Sequence, residues 1–268
     1  MIKHPQLERE KEFYINSDLE ENVKYATHIF SSILSKEDNF RKILPDSFVV
    51  YKPHSLVSGD FYWINETDGK TTLVVGDCIG HGVSASYLSI LALSLLESIK
   101  SEIEIINSPS EVLKRINNHL FSVLNKQNSN MFNDNMEITC IVIDEIKNEI
   151  VYASEGIQII YIQGNEIRKL GLSKRSIGDL NPHGYQPIEY RFNPNSGDRI
   201  YIMTDGIKSQ FGFFSGKKLG SKKLFKLLFE TSILGPKIQK QYIELFLKSF
   251  KGNLDQTDDI CLIGLKLK

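Results

Sequence analysis

Four aspartates in this chain stand where apolar stretches begin or end: Asp60 in VSGDFYW, Asp77 in VVGDCIG, Asp205 in IYIMTDGI and Asp258 in QTDDICLIGL. Between the first two, FYWIN, ETDGK and TTLVVG read as strand, turn and strand, with Asp68-Gly69 at the tip because a tight hairpin turn needs positive φ. Residues of such a hairpin pair so that their numbers add to a constant, and position 60 then falls opposite position 77. Cross-strand Cβ atoms lie about 4.5–5.5 Å apart, so two carboxylates placed there repel. Either one of them is protonated or a cation lies between them. A glycine precedes each aspartate and opens space at that end of the hairpin. Acids without histidine or cysteine neighbours suit hard cations with oxygen ligands, Mg²⁺ or Mn²⁺. Any one of these aspartates alone reads equally well as a turn former or helix cap. A set of four at strand ends, one pair forced together by register, does not.

The elements around these residues follow from periodicity. Ser17 and Glu20 form a capping box, and Leu19, Val23, Ala26, Phe30 and Ile33 then recur as one helical stripe, read as packing on the protein's own body rather than as a coiled-coil stub. DSFVVYKP (46–53) is a first strand, and 84–101 is apolar nearly all round, as a buried helix is. Ser108, Pro109 and Glu111 open a second helix as cap, first residue and box partner. EITCIVIDEI, EIVYASE and IQIIYIQG read as three strands joined by tight turns; IEYRF and DRIYIMTDG add two more. KKLFKLLFETSI and PKIQKQYIELFLKSF are amphipathic helices, and ICLIGLKLK closes as a strand. Strands and helices in runs, not in alternation, give an α+β fold with largely antiparallel sheet. No glycine-rich phosphate loop follows a strand.

The 268 residues carry a net charge of −1, so no global field favours nucleic acid or an anionic membrane. The longest apolar run, 87–99, is too short for membrane insertion. Cys78, Cys140 and Cys261 form no CxxC pair and read as buried reduced thiols, which suits the cytoplasm.

The ordered set VSGDFYW, GDCIGHGVSASYLS, SGDRIYIMTDGI, QFG and QTDDICLIGLKL resembles the bacterial PPM-type, metal-dependent serine/threonine phosphatases of the SpoIIE/RsbU kind. Each motif is weak alone; their order and spacing match from about residue 22 to the C-terminus. The resemblance implies an αββα sandwich, two antiparallel sheets face to face with helical pairs outside. It implies a catalytic domain over 44–268 behind an N-terminal helical segment, 1–43. It also implies two divalent cations, Mn²⁺ or Mg²⁺, at one end between the sheets.

Carried over position by position, Asp77 resembles the aspartate that bridges both cations, and Asp60 the first acidic residue that helps hold their bridging hydroxide. The backbone carbonyl of Cys78 takes a main-chain ligand's place, while Asp205 and Asp258 match the remaining acids. Asp259 is the weaker candidate of its pair. His81 is a candidate acid for the leaving serine oxygen, or a brace for the glycine turn. The chain departs from the family pattern at Ser154, Glu155 and Gly156, at Ser209, and at Cys261.

The implied substrate is a phosphorylated regulatory protein, such as an anti-sigma factor antagonist, hydrolysed by attack of the metal-bridging hydroxide. A regulatory partner or dimer contact through the N-terminal helix is the expected control. The competing class is a catalytically weak relative that only binds a phosphoprotein. Mutually repelling carboxylates have no use in such a protein.

Overall fold

The computed structural model describes residues 25–268, apart from 26, 81, 125–134, 172, 179, 180 and 182. The strands are β1 Ser47–Lys52, β2 Asp60–Thr67, β3 Lys70–Cys78, β4 Met136–Asp144, β5 Glu149–Glu155, β6 Gln158–Gln163, β7 Glu166–Leu170, β8 Tyr190–Phe192, β9 Arg199–Met203 and β10 Ile260–Lys266. The helices are α1 Glu37–Ile43, α2 Val83–Ile99, α3 Ile103–Ile106, α4 Pro109–Val123, α5 Gly206–Ser209, α6 Gly220–Thr231 and α7 Pro236–Lys251.

Two five-stranded sheets form, in the orders β1-β10-β9-β6-β7 and β2-β3-β4-β5-β8. Their named pairings are antiparallel throughout. Three cores separate four layers. Val49, Leu73, Val75, Ile141, Ile202 and Ile263 fill the space between the sheets. Leu93, Leu96, Leu113 and Ile116 of α2 and α4 cover the outer face of the second sheet. Leu224, Leu228, Ile243 and Leu247 of α6 and α7 cover the first. The central strands are thus covered on both faces, which is why β3 and β10 read as near-continuous apolar runs.

The β2–β3 hairpin turns at Asp68 (φ 55°) and Gly69 (φ 69°), both left-handed, and pairs Asp60 with Asp77 as counted. Ser108 caps α4 by accepting the Glu111 N–H, with Pro109 at the first helical position. The reciprocal half of the box is replaced: the Ser108 N–H bonds the Ile105 carbonyl, and distant Glu189 accepts from Ser108 and Ser110. Of the N-terminal stripe, Phe30 is buried in the α2/α4 core and Ile33 packs beside it; Leu19, Val23, Ala26 and the Ser17–Glu20 box lie outside the described residues.

One connection differs from its sequence reading. β5 and β6 are not a hairpin: they lie in different sheets, and Gly156-Ile157 is the crossover. Gly156 holds φ 85°, and a Cβ there would stand 2.4 Å from the Glu137 side chain, so the crossing demands glycine. Strand β7 adds to the first sheet from residues that show no apolar alternation, because all but its last are exposed.

Candidate active site

β2 and β3 end together, and Asp60 and Asp77 are direct cross-strand partners. The next strand continues the row: Asp77 also pairs with Glu137 of β4. Asp77 is therefore flanked by a carboxylate on each neighbouring strand. From the other sheet come Asp205, at the start of α5, and Asp258, just before β10. Asp77, Cys78, Glu137, Asp205 and Asp258 line one cleft of about 250 Å³ at this end of the sandwich. Asp60 lies buried behind it.

The ionisation of these groups records their crowding. Burial, then Asp205, Glu137 and Asp258 beside it, push Asp77 up to about 8 against an ordinary 3.8. Burial and then Asp77 hold Asp60 well above the carboxylate range, opposed by one hydroxyl donor. Glu137 is raised by burial and by Asp205, with Lys208 of α5 pulling it back. Among the described residues no three acid, histidine or cysteine side chains are gathered into a ready ligand cage. The acids face a common space instead, which leaves room for something between them.

The scaffold around the cleft is built from close approaches. The Thr204 hydroxyl donates to Asp60 Oδ2 at 2.6 Å and accepts the Cys261 N–H at 3.0 Å, tying the second sheet to the first at the site. Tyr51 donates its hydroxyl to the Asp60 carbonyl at 2.9 Å. Asp259 is no cleft residue: it is buried and accepts the backbone N–H groups of His54 (2.6 Å) and Gly59 (2.8 Å), pinning the loop before β2. The Cys78 thiol is buried in the α2/α4 core against Ser89, and burial pushes it up, so only the main chain of this residue is offered to the cleft.

Gly80 and Gly82 hold φ 93° and 78°, the left-handed turns that lead from β3 into α2. The glycines before the two aspartates serve packing: the Phe61 ring fills the space over Gly76, and Ala85 abuts Gly59.

The structure thus brings together Asp60, Asp77, Cys78, Asp205 and Asp258 of the expected set; His81 lies outside the described residues. Glu137 and Thr204 were missed by sequence reasoning. Helices α2 to α4 separate β3 from β4, so no hairpin count could register Glu137, whereas Thr204, beside Asp205 in TDG, was visible as a polar residue ending an apolar strand.

The family described as Stage II sporulation protein E (SpoIIE) matches residues 67–268. The chain belongs to that family, and it is a bacterial PPM-type serine/threonine phosphatase. The SiaA PP2C domain of Pseudomonas aeruginosa superposes with a TM-score of 0.83 at 23% identity, covering 95% of this chain and 99% of that one. The SpoIIE phosphatase domain with a regulatory fragment from Bacillus subtilis gives 0.62 at 19%, covering 83% and 63%. RsbX, solved with magnesium, gives 0.58 at 16%, covering 83% and 94%. These likenesses establish the αββα sandwich. No curated protein sequence matches the chain.

Proposed function

We propose that the chain hydrolyses phosphoserine or phosphothreonine on a regulatory phosphoprotein, such as an anti-sigma factor antagonist, with two divalent cations as cofactors. The observation that carries this reading is the row Asp60–Asp77–Glu137 across three strands, faced by Asp205 and Asp258. The donor set is oxygen only, as Mg²⁺ and Mn²⁺ require, and its mutual repulsion is what a cation would relieve. Asp60, Asp77, Asp205 and Asp258 would hold the metals, with the Cys78 carbonyl as a main-chain ligand. When bound, such a pair supplies Lewis acidity: it lowers the pKa of water and neutralises phosphoryl oxygens.

The chain's own residues do the rest. The Thr204 hydroxyl orients Asp60 and favours its ionised form. Asp259 fixes the loop leading into β2. Lys208 keeps one positive charge near Glu137. His81 is the candidate proton donor to the leaving oxygen. Segment 1–43 is the proposed control region for a partner or a second copy, ahead of a catalytic domain over 44–268. The three buried free thiols fit the cytoplasm. Among the described residues no helix is long and apolar enough to cross a membrane.

The test is hydrolysis of p-nitrophenyl phosphate and of a phosphoserine peptide with Mn²⁺, with Mg²⁺, and with chelator. Turnover that needs the cation supports the reading. Phosphopeptide binding without turnover in any metal would instead establish the binding-module alternative.

A further inference from the structure

Helix α7 buries Gln239, Ile243 and Leu247 against the first sheet. Its other face is not polar. Ile238, Tyr242 and Leu245 are 54%, 52% and 67% exposed at the i, i+4, i+7 spacing of one helical stripe. Beside it runs a groove of about 500 Å³ whose apolar floor includes Leu245, Leu247 and Ile260. Three lysines line it, Lys52, Lys248 and Lys251; Lys52 pairs with the single lining acid, Glu244, at 4.0 Å, which leaves the charges of Lys248 and Lys251 in excess. In a chain of net charge −1 this is a local positive surface. Gln210 also lines the groove. Its side-chain nitrogen bonds the Phe211 and Asp255 carbonyls, while its buried oxygen has no partner among the described residues. The loop beyond Gln210 projects Phe214, 93% exposed, and is tied to the end of α7 through the Phe213 N–H on the Phe250 carbonyl.

Groove and cleft adjoin through one side chain. Gln256 lines the groove, and its amide donates to the carbonyls of Lys52 (2.8 Å) and of Asp258 (2.7 Å), the latter a cleft residue. A partner seated on α7 therefore lies next to the carboxylates.

We propose that the α7 groove docks an acidic amphipathic helix of the phosphoprotein substrate while its phosphorylated residue occupies the carboxylate cleft. The apolar stripe and the lysines specify the two faces of that helix. This rests on the phosphatase reading above and adds the recognition that selects the substrate.

The experiment uses the full chain and three phosphoserine peptides that share one sequence around the phosphate. The first ends there. The second continues through a short glycine-serine spacer into a leucine-striped helix with glutamates on its polar face, and the third carries lysines in their place. The expected KM for the glutamate peptide is about tenfold below that of the short one, with no gain for the lysine peptide. The double substitution Leu245→Asp with Lys248→Glu, both on the outer surface of α7, should raise the glutamate-peptide KM to the short-peptide value. Turnover of p-nitrophenyl phosphate should be unchanged.

Three outcomes overturn the proposal: an equal gain from the lysine helix, a variant that shifts the short-peptide KM as much, or a variant that alters only sedimentation or binding to anionic vesicles. If p-nitrophenyl phosphate is not turned over with Mn²⁺, the reading of the cleft fails. Fluorescence anisotropy of the labelled glutamate peptide on the two proteins then still decides the docking site.

Discussion

Buried acids at two kinds of place in this molecule are treated in opposite ways. Asp259, Asp198 and Glu155 are each supplied with donors. Asp259 accepts two backbone N–H groups. Asp198 accepts from the Tyr161 hydroxyl and the Asn195 N–H. Glu155 takes Arg175 at 2.6 and 3.1 Å together with the Ser173 hydroxyl. Asp60 and Asp77, one strand apart, are set against each other, against Glu137 and against the acids of the facing sheet, with one hydroxyl for Asp60 and one backbone N–H, that of Asp205, for Asp77, too little to bring either down to the ordinary carboxylate range. The fold can satisfy a buried carboxylate when it needs to. Its failure to do so at the ends of β2 and β3 marks the charge there as kept for something that arrives from outside.

The comparison breaks first at Asp77. Asp77→Asn should reduce Mn²⁺-dependent turnover of p-nitrophenyl phosphate at least about 1000-fold, while thermal unfolding without metal shows an equal or higher midpoint. Substantial activity in that variant sinks the metal reading. Asp259→Asn should behave in the opposite sense. It loses charge-assisted bonds to His54 and Gly59 and should cost about 2–3 kcal/mol in urea unfolding, with or without Mn²⁺. A stabilised Asp259→Asn protein would erase the distinction between the two sets of acids.

Titration sharpens it further. The Asp77 carboxyl ionises near 3.8 in the unfolded chain and at about 8 in the folded one. Across that window the folded state holds a proton that the unfolded state has released, so metal-free stability falls as pH rises from about 4 to 8. Asp60, raised in the same direction, adds to the slope. Millimolar Mn²⁺ should flatten the slope and raise the midpoint near neutral pH, because it binds only the folded acids. Urea midpoints across that pH range, with and without Mn²⁺, check this.

Two smaller effects follow. Thr204→Val removes the donor that favours ionised Asp60 and should weaken Mn²⁺ activation about tenfold, read from the metal dependence of turnover, with a stability loss of about 1–2 kcal/mol. Cys78→Ala should leave turnover unchanged and cost about 1 kcal/mol of stability, since its thiol is buried in the core against the Ser89 hydroxyl and away from the cleft. Loss of turnover in a folded Cys78→Ala protein would return the thiol to the chemistry.

What the sequence disclosed and what it hid divide along chain distance. The Asp60–Asp77 pair was countable because its turn chemistry, Asp68-Gly69, lies between the two strands and fixes their register locally. The four-layer plan and four acid positions came through motif order. Glu137 was hidden because its strand is joined to β3 through three helices, and such a connection sets no register. The β5–β6 link misled because a glycine between two apolar runs looks the same whether the chain folds back or crosses to another sheet. The role of Asp259 was hidden for a related reason: its donors lie some two hundred positions away. Strand β7 escaped because solvent on its surface removes the alternation that marks a strand.

The order of strands in the first sheet governs when this site exists during synthesis. β10 is not at an edge; it lies between β1 and β9, bonded to both. Until residues 260–266 leave the ribosome, β1 has no partner strand, and Asp258 and Asp259 have no anchored strand behind them. The contacts that complete the cleft span more than half the chain, from Asp60 to Thr204 and from Gly59 to Asp259. Closing such loops is slow, and unpaired strand edges remain open meanwhile. A nascent chain halted before β10 would present the β2–β3 hairpin with its acids but no finished cleft, so activity should appear in one step, once β10 has emerged.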